Sequence, residues 1–313
     1  MLIDFVKCHG SGNDFPLIDA RALDHDDAVW GRIARALADR RGPVGGDGML
    51  LLTAGDRTHA FGMRMFNSDG SEAETCLNGL RCVARCGFEA LGIDRAEVRL
   101  KTSTAHAERA PDLAPGIQAI RETAGPVELD VRTWPLSGMG ERILQRAIPM
   151  LPSLRAFTAI AMPNPHLVAF VETIDDAELV VVGRACETAP YWLPNRANVS
   201  FVELRGTDLF VRTHERGVGL TDSCGSAMAA STVAACLAGH VDYGREITVY
   251  NRGGLVRAQA ESNGMVRLTG NATWEYKATV AVDLDAGLAG DLHITHHFND
   301  EIAAWSTLAD TTG

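Results

Sequence analysis

Two stretches decide the architecture: FNSDGSEAETCLNGLRC (residues 66–82) and ERGVGLTDSCGSA (residues 215–227). Each passes through a glycine turn and small or polar residues to a cysteine, Cys76 or Cys224, and then opens a helix. In the first, helical spacing runs over about 78–91, with Leu80, Val83, Gly87 and Ala90 on one face and Cys82 stacked on Cys86. In the second, an alanine-rich helix covers 226–237, preceded by a strand and turn over 212–219. The two segments lie about one domain apart, which predicts an internal repeat and two related lobes.

Outward from the first stretch, strands are expected over 3–8 and 15–19 around a glycine-rich turn at 10–12, then a helix over about 26–40 capped by Asp26 or Asp27. Strands over 49–52 and 61–66 follow. Interleaved strands and helices make the class α+β, read as two pseudo-symmetric lobes, each a mixed β-sheet curled around a central α-helix. Proline and glycine in 123–152 place a lobe boundary near Thr123, Ala124 or Gly125. The expected division is 1–123 plus about 271–285, then 124–270, with 286–313 a C-terminal extension holding His293, His296 and His297.

Composition narrows the function. The 313 residues are 46% hydrophobic and 22% charged, enough apolar matter for two cores, which makes disorder a poor reading. A net charge of −11 argues against nucleic acid and anionic membranes as partners. The acid in the opening run MLIDFVK and the lack of a long apolar span argue against a secretory leader or a membrane anchor. Seven cysteines, odd in number and sparse, point to reduced thiols and a cytoplasmic setting.

A cysteine just ahead of a helix start sits among unpaired backbone amides and the positive end of the helix dipole, which favours thiolate. The same amides suit a carboxylate, and hold it more tightly as charge builds when the neighbouring carbon loses its proton. Cys76 and Cys224 occupy such positions beside small turn-forming residues, whereas Cys8, Cys82, Cys86, Cys186 and Cys236 sit in apolar settings and read as packing.

The residues resemble the diaminopimelate epimerases, a family of two-thiol epimerases that use no cofactor. The resemblance rests on HGSGNDF (9–15), GGDG (45–48), the 66–82 stretch, NPH (164–166), ANVSF (197–201) and the 215–227 stretch, in the family's order. It implies that Cys76 and Cys224 act from opposite sides of a substrate α-carbon, one as thiolate base and one as thiol acid. It also implies that His166 and Glu215 tune the thiols. Substrate binding would fall to Asn13, Asn67, Asn164, Asn198, Glu215 and Arg216, with Leu77, Asn78, Gly225 and Ser226 at the helix starts. Arg216 would grip a distal carboxylate as a fork. Neither a cofactor nor a metal is expected, and the only lysines, Lys7, Lys101 and Lys277, lie in no recognisable pyridoxal phosphate context. The partner implied is a small amino-acid substrate, and a homodimer stays open.

Four residues depart from the family pattern: Leu77, Gly48, Leu220 and Ala227. They keep open a two-thiol racemase of another amino acid, histidine first. A zinc-binding or thiol-redox protein built on Cys76, Cys82, Cys86 and the tail histidines is the reading of another class, disfavoured by the lack of paired Cys-x-x-Cys ligands.

Overall fold

A computed structural model describes residues 1–310 of the chain. The chain forms two units: Met1–Glu122 with the described chain from Thr269 onward, and Thr123–Leu268.

In the first unit the hairpin strands Leu2–Gly10 and Asn13–Asp19 pair antiparallel. Helix α1, Asp27–Ala38, follows, with the Asp26 carboxylate accepting from the Val29 amide as N-cap. The chain returns as strand Gly48–Ala54, parallel to Asn13–Asp19, and turns into the antiparallel Phe61–Asn67. Helix α2, Leu77–Leu91, then crosses to Arg95–Arg99, parallel to Phe61–Asn67 and paired in turn with Thr104–Ala110. On the other side, Leu2–Gly10 pairs with Thr273–Asp283, which pairs with Leu288–His297.

The second unit repeats this plan. A hairpin, Ala156–Ala161 and Pro165–Val171, leads through helix α3, Asp176–Glu187, to the parallel strand Asn198–Arg205 and its partner Asp208–Glu215. Helix α4, Gly225–Leu237, then leads to Glu246–Asn251, parallel to Asp208–Glu215 and paired with Gly254–Ala260.

Each unit has one helix inside the curl of its sheet, α2 or α4, and another, α1 or α3, on the outer face. Helix α2 touches six strands, and eleven of its fifteen residues are buried. Helix α4 buries eleven of thirteen, nearly all small, so sheet and helix approach closely on every side. Helix α1 instead lays Trp30, Ile33 and Leu37 on the outer face of the first sheet against Ile18, Met49, Leu51 and Val280. Helix α3 does the same in the second with Leu179, Val182 and Cys186.

Some expectations change in the structure. The face of α2 read from spacing includes Ala90, which is exposed, while Arg81 and Arg85 are buried. The reason is that α2 is enclosed, and its arginines find buried partners. The loop-like chain over 130–151 carries Val131, Trp134, Leu136, Ile143, Ile148 and Leu151 into the second unit's core. Within the described residues, the segment set apart as an extension supplies strand Leu288–His297 and helix α5, Asn299–Ala309, to the first unit; residues 311–313 lie outside the described ones. No disulfide joins any of the seven cysteines. No helix among the described residues is long and apolar enough to cross a membrane.

Candidate active site

In the first unit, Cys76 is the N-cap of α2. Its extended backbone (φ −150°, ψ 105°) turns the chain from the short strand Glu72–Ala73 into the helix, and its sulfur accepts from the Gly79 amide at 3.4 Å. Asn13, leaving the turn at 10–12, donates through Nδ2 to the Asp47 carboxylate, which Arg40 also holds at 2.7 Å. That bond fixes which way the amide faces, so Asn13 Oδ1 is the atom 3.8 Å from Cys76 Sγ and 3.4 Å from Asn78 Nδ2. Asn78 Oδ1 in turn accepts from Arg81 at 2.7 Å.

The Arg81 guanidinium is wholly buried. It donates to Glu122 at 2.7 Å, to the Asn271 carbonyl at 3.1 Å and to Ser11 at 3.3 Å. Burial pushes the Glu122 carboxyl up to about 7 even though Arg81 pulls it down. Sequence reasoning does not reach Arg81, Glu122 and Asn271, because partners 41 and 190 positions away leave no local signal.

Asn67 ends strand Phe61–Asn67 and engages Ser71 through its side chain (3.0 Å) and its amide (2.8 Å), closing a turn. Leu77 begins α2 and is 9% exposed. At Gly48 the sheet leaves no room for a side chain, because a Cβ would stand 2.3 Å from the Phe66 carbonyl oxygen. The departure from a polar residue there is therefore a backbone requirement of this sheet.

In the second unit, Cys224 caps α4 with nearly the same backbone (φ −134°, ψ 109°) and is 8% exposed. Its sulfur lies 3.5 Å from Ser226 Oγ, the second residue of the helix after Gly225. Burial pushes the thiol well above its ordinary value, and the Glu215 carboxylate adds to that rise while Ser226 opposes it. Glu215 accepts from Thr221 Oγ1 at 2.6 Å. Cys224 is thus held as a thiol in this form.

His166 and Asn198 are register partners in adjacent parallel strands. Asn198 Oδ1 accepts the Arg216 amide at 3.0 Å, and the Arg216 guanidinium donates to the Asn195 carbonyl at 2.9 Å. His166 Nε2 lies 3.2 Å from Asn164 Oδ1, whereas its buried Nδ1 has no partner among the described residues. Burial and then the nearby Arg216 charge push His166 down to about 3. The imidazolium that would favour a thiolate is therefore not the form present at neutral pH, and His166 acts here as a neutral ring. The loop that follows is anchored by Glu187, another residue sequence reasoning missed, which accepts the Gly217 amide at 2.9 Å.

The remaining cysteines pack. Burial pushes Cys86 and Cys186 up to about 12 and Cys236 to about 11. Leu220 packs against the second core, and Ala227 is fully buried in α4. Among the described residues no three His, Cys, Asp or Glu side chains group as a metal site.

Comparison with known proteins agrees with this layout. The family model described as diaminopimelate epimerase matches residues 5–108 and 158–275, which include both cysteine-capped helices. A diaminopimelate epimerase of Clostridium acetobutylicum is 40% identical over 288 residues, covering 90% of this chain and 86% of that protein. One of Enterococcus faecalis is 37% identical, covering 87% of each. Among solved structures, a predicted epimerase from Pseudomonas aeruginosa superposes with a TM-score of 0.66 at 18% identity, covering 90% of this chain and all of that one, and so speaks for the fold. A repeated fold with a cysteine capping each central helix, matched in sequence over most of its length, makes this chain a member of the diaminopimelate epimerase family.

Proposed function

We propose that this protein interconverts LL- and meso-2,6-diaminopimelate, a step that serves lysine and peptidoglycan synthesis, with Cys76 and Cys224 as the two proton carriers. The observation that carries this reading is the N-cap position of both thiols on central helices. There a substrate carboxylate meets backbone amides, which stabilise the charge that spreads onto it when the α-proton leaves. In the resting form Cys224, raised by burial and Glu215, is the thiol that gives a proton. Cys76, whose sulfur also caps a central helix, is the partner that takes one as thiolate. One C–H bond breaks and one forms, so the thiols exchange protonation states and the reverse reaction uses them in opposite roles.

Asn13, Asn67, Asn164 and Asn198 supply amides able to donate to a carboxylate and accept from an ammonium. Arg216 supplies the fork for the distal carboxylate. The reaction asks for no cofactor, metal, nucleic acid or membrane, and we place it in the cytoplasm, with a homodimer as an arrangement to be tested by sedimentation.

The test is turnover of LL-diaminopimelate in deuterated water under reducing conditions, following optical change and α-hydrogen exchange together. Epimerisation with exchange, without added pyridoxal phosphate or metal, is expected. Turnover of histidine with none of diaminopimelate would assign the chain to another substrate.

A further inference from the structure

Helix α5 lies beyond residue 275, where the family match ends, yet it holds both α2 and the turn that leads to Asn13. Glu301 grips Arg85 of α2 with both oxygens, at 2.6 and 2.8 Å, and accepts the Trp274 amide at 3.2 Å. Arg85 also lies 4.0 Å above the Trp274 ring and donates to the Ala272 carbonyl at 2.7 Å. A forked Arg–carboxylate pair fixes orientation as well as distance, so α5 and α2 are locked in register.

Trp305, the buried residue of α5, sets its ring 5.3 Å from that of His9. Burial pushes His9 down to about 4, leaving a neutral ring. Its Nδ1 accepts the Gly12 amide at 3.3 Å and lies 3.2 Å from Asn271 Nδ2. The next residue is Asn13, whose Oδ1 faces Cys76. Contact therefore runs from the tail through Trp305, His9 and Gly12 to the amide beside the thiol.

We infer that the C-terminal segment is a working part of the site, in which Trp305 and Glu301 are positioning residues that hold the Asn13 turn and α2 in register around Cys76. This rests on the proposed role of Asn13 in binding diaminopimelate. A tail that only adds stability would change melting behaviour and leave KM and the environment of Cys76 alone.

The experiment uses the full chain with Trp305→Ala, Trp305→Phe and Glu301→Gln. Two readouts are taken: KM and kcat for LL-diaminopimelate, and the rates at which iodoacetamide alkylates Cys76 and Cys224, mapped by mass spectrometry. Trp305→Ala is expected to raise KM by about threefold or more and to change Cys76 alkylation as much, with Cys224 unmoved and Trp305→Phe restoring both. Glu301→Gln, which keeps the side-chain shape, is expected to shift both in the same direction by less, and it decides the matter if Trp305→Ala does not fold. A folded Trp305→Ala with unchanged KM and Cys76 rate overturns the inference, as does an equal change at both cysteines. If the wild-type protein does not turn over diaminopimelate, the functional reading fails, and the Cys76 alkylation rates alone decide the positioning role.

Discussion

Replacing Arg81 with methionine tests how the amides beside Cys76 are held. The guanidinium is fully buried, makes a 2.7 Å bond to a fully buried Glu122, and supplies the 2.7 Å donor to Asn78. Removing one member of such a pair strands the other, at a cost of about 3–5 kcal/mol. The cost is expected to depend on pH. Burial already lifts Glu122 from 4.5 to about 7 against the pull of Arg81, and without Arg81 it rises further. Since the raised folded value keeps a proton longer than the unfolded chain does, this group's contribution is complete below 4.5. It is lost as pH climbs through the folded value, by up to about 1.4 kcal/mol per pH unit. Wild type and variant share that loss up to about pH 7, so the cost of Arg81→Met is greater at pH 8 than at pH 5, by at most about 1.4 kcal/mol. The double variant Arg81→Met/Glu122→Leu, which leaves no stranded carboxyl, recovers most of the loss. Urea titrations at both pH values, with hydrogen exchange of α2 to isolate the first unit, supply the numbers. A loss under about 1 kcal/mol at pH 8, or a double variant no better than the single one, would refute the reasoning.

Three further outcomes are expected. Cys76→Ser and Cys224→Ser each lower epimerisation by about 10²-fold or more, measured as optical change, and full activity in either would end the two-thiol reading. Gly183→Ala destabilises the second unit by about 1–3 kcal/mol in urea, because a Cβ at that position of α3 would stand 2.2 Å from the His214 ring. Carbon and nitrogen NMR shifts of His166 stay those of a neutral ring from pH 8 down to about 4, since its folded value lies near 3. Its depressed value also removes stability as pH falls from 6.5 toward 3, because the unfolded chain takes the proton first.

How far the sequence speaks depends on whether a structural demand is local. Cys76 and Cys224 before their helices, and the Asp26 cap, are legible because the backbone asks for these residue types at these offsets. Arg81 and Arg85 are not: periodicity puts charge outside, and the groups that make their burial tolerable, Glu122 and Glu301, are 41 and 216 positions away. The irregular run containing Val131, Trp134 and Ile143 reads as linker because it has no period, yet it fills a core. The helix formed by the tail escaped for a related reason, having a single buried residue, Trp305, to mark its inner face. His166 was found as a residue, but its neutral state follows from burial and from Arg216, and neither shows in Asn164-Pro165-His166.

The sulfur that caps α2 is also the atom proposed to carry the proton. An ionised acceptor draws a stronger hydrogen bond than a neutral one, so the Gly79 amide, 3.4 Å away, is pulled in when Cys76 loses its proton and let go when it regains it. The linkage is reciprocal: whatever tightens the first turn of α2 makes that thiol more acidic. In α4 the Ala227 amide, at the same offset, likewise favours thiolate at Cys224, but burial and the Glu215 carboxylate outweigh it, so the two ends of the reaction are not mirror images. The exchange rate of one backbone hydrogen, on Gly79, thereby becomes a gauge of where the catalytic proton resides.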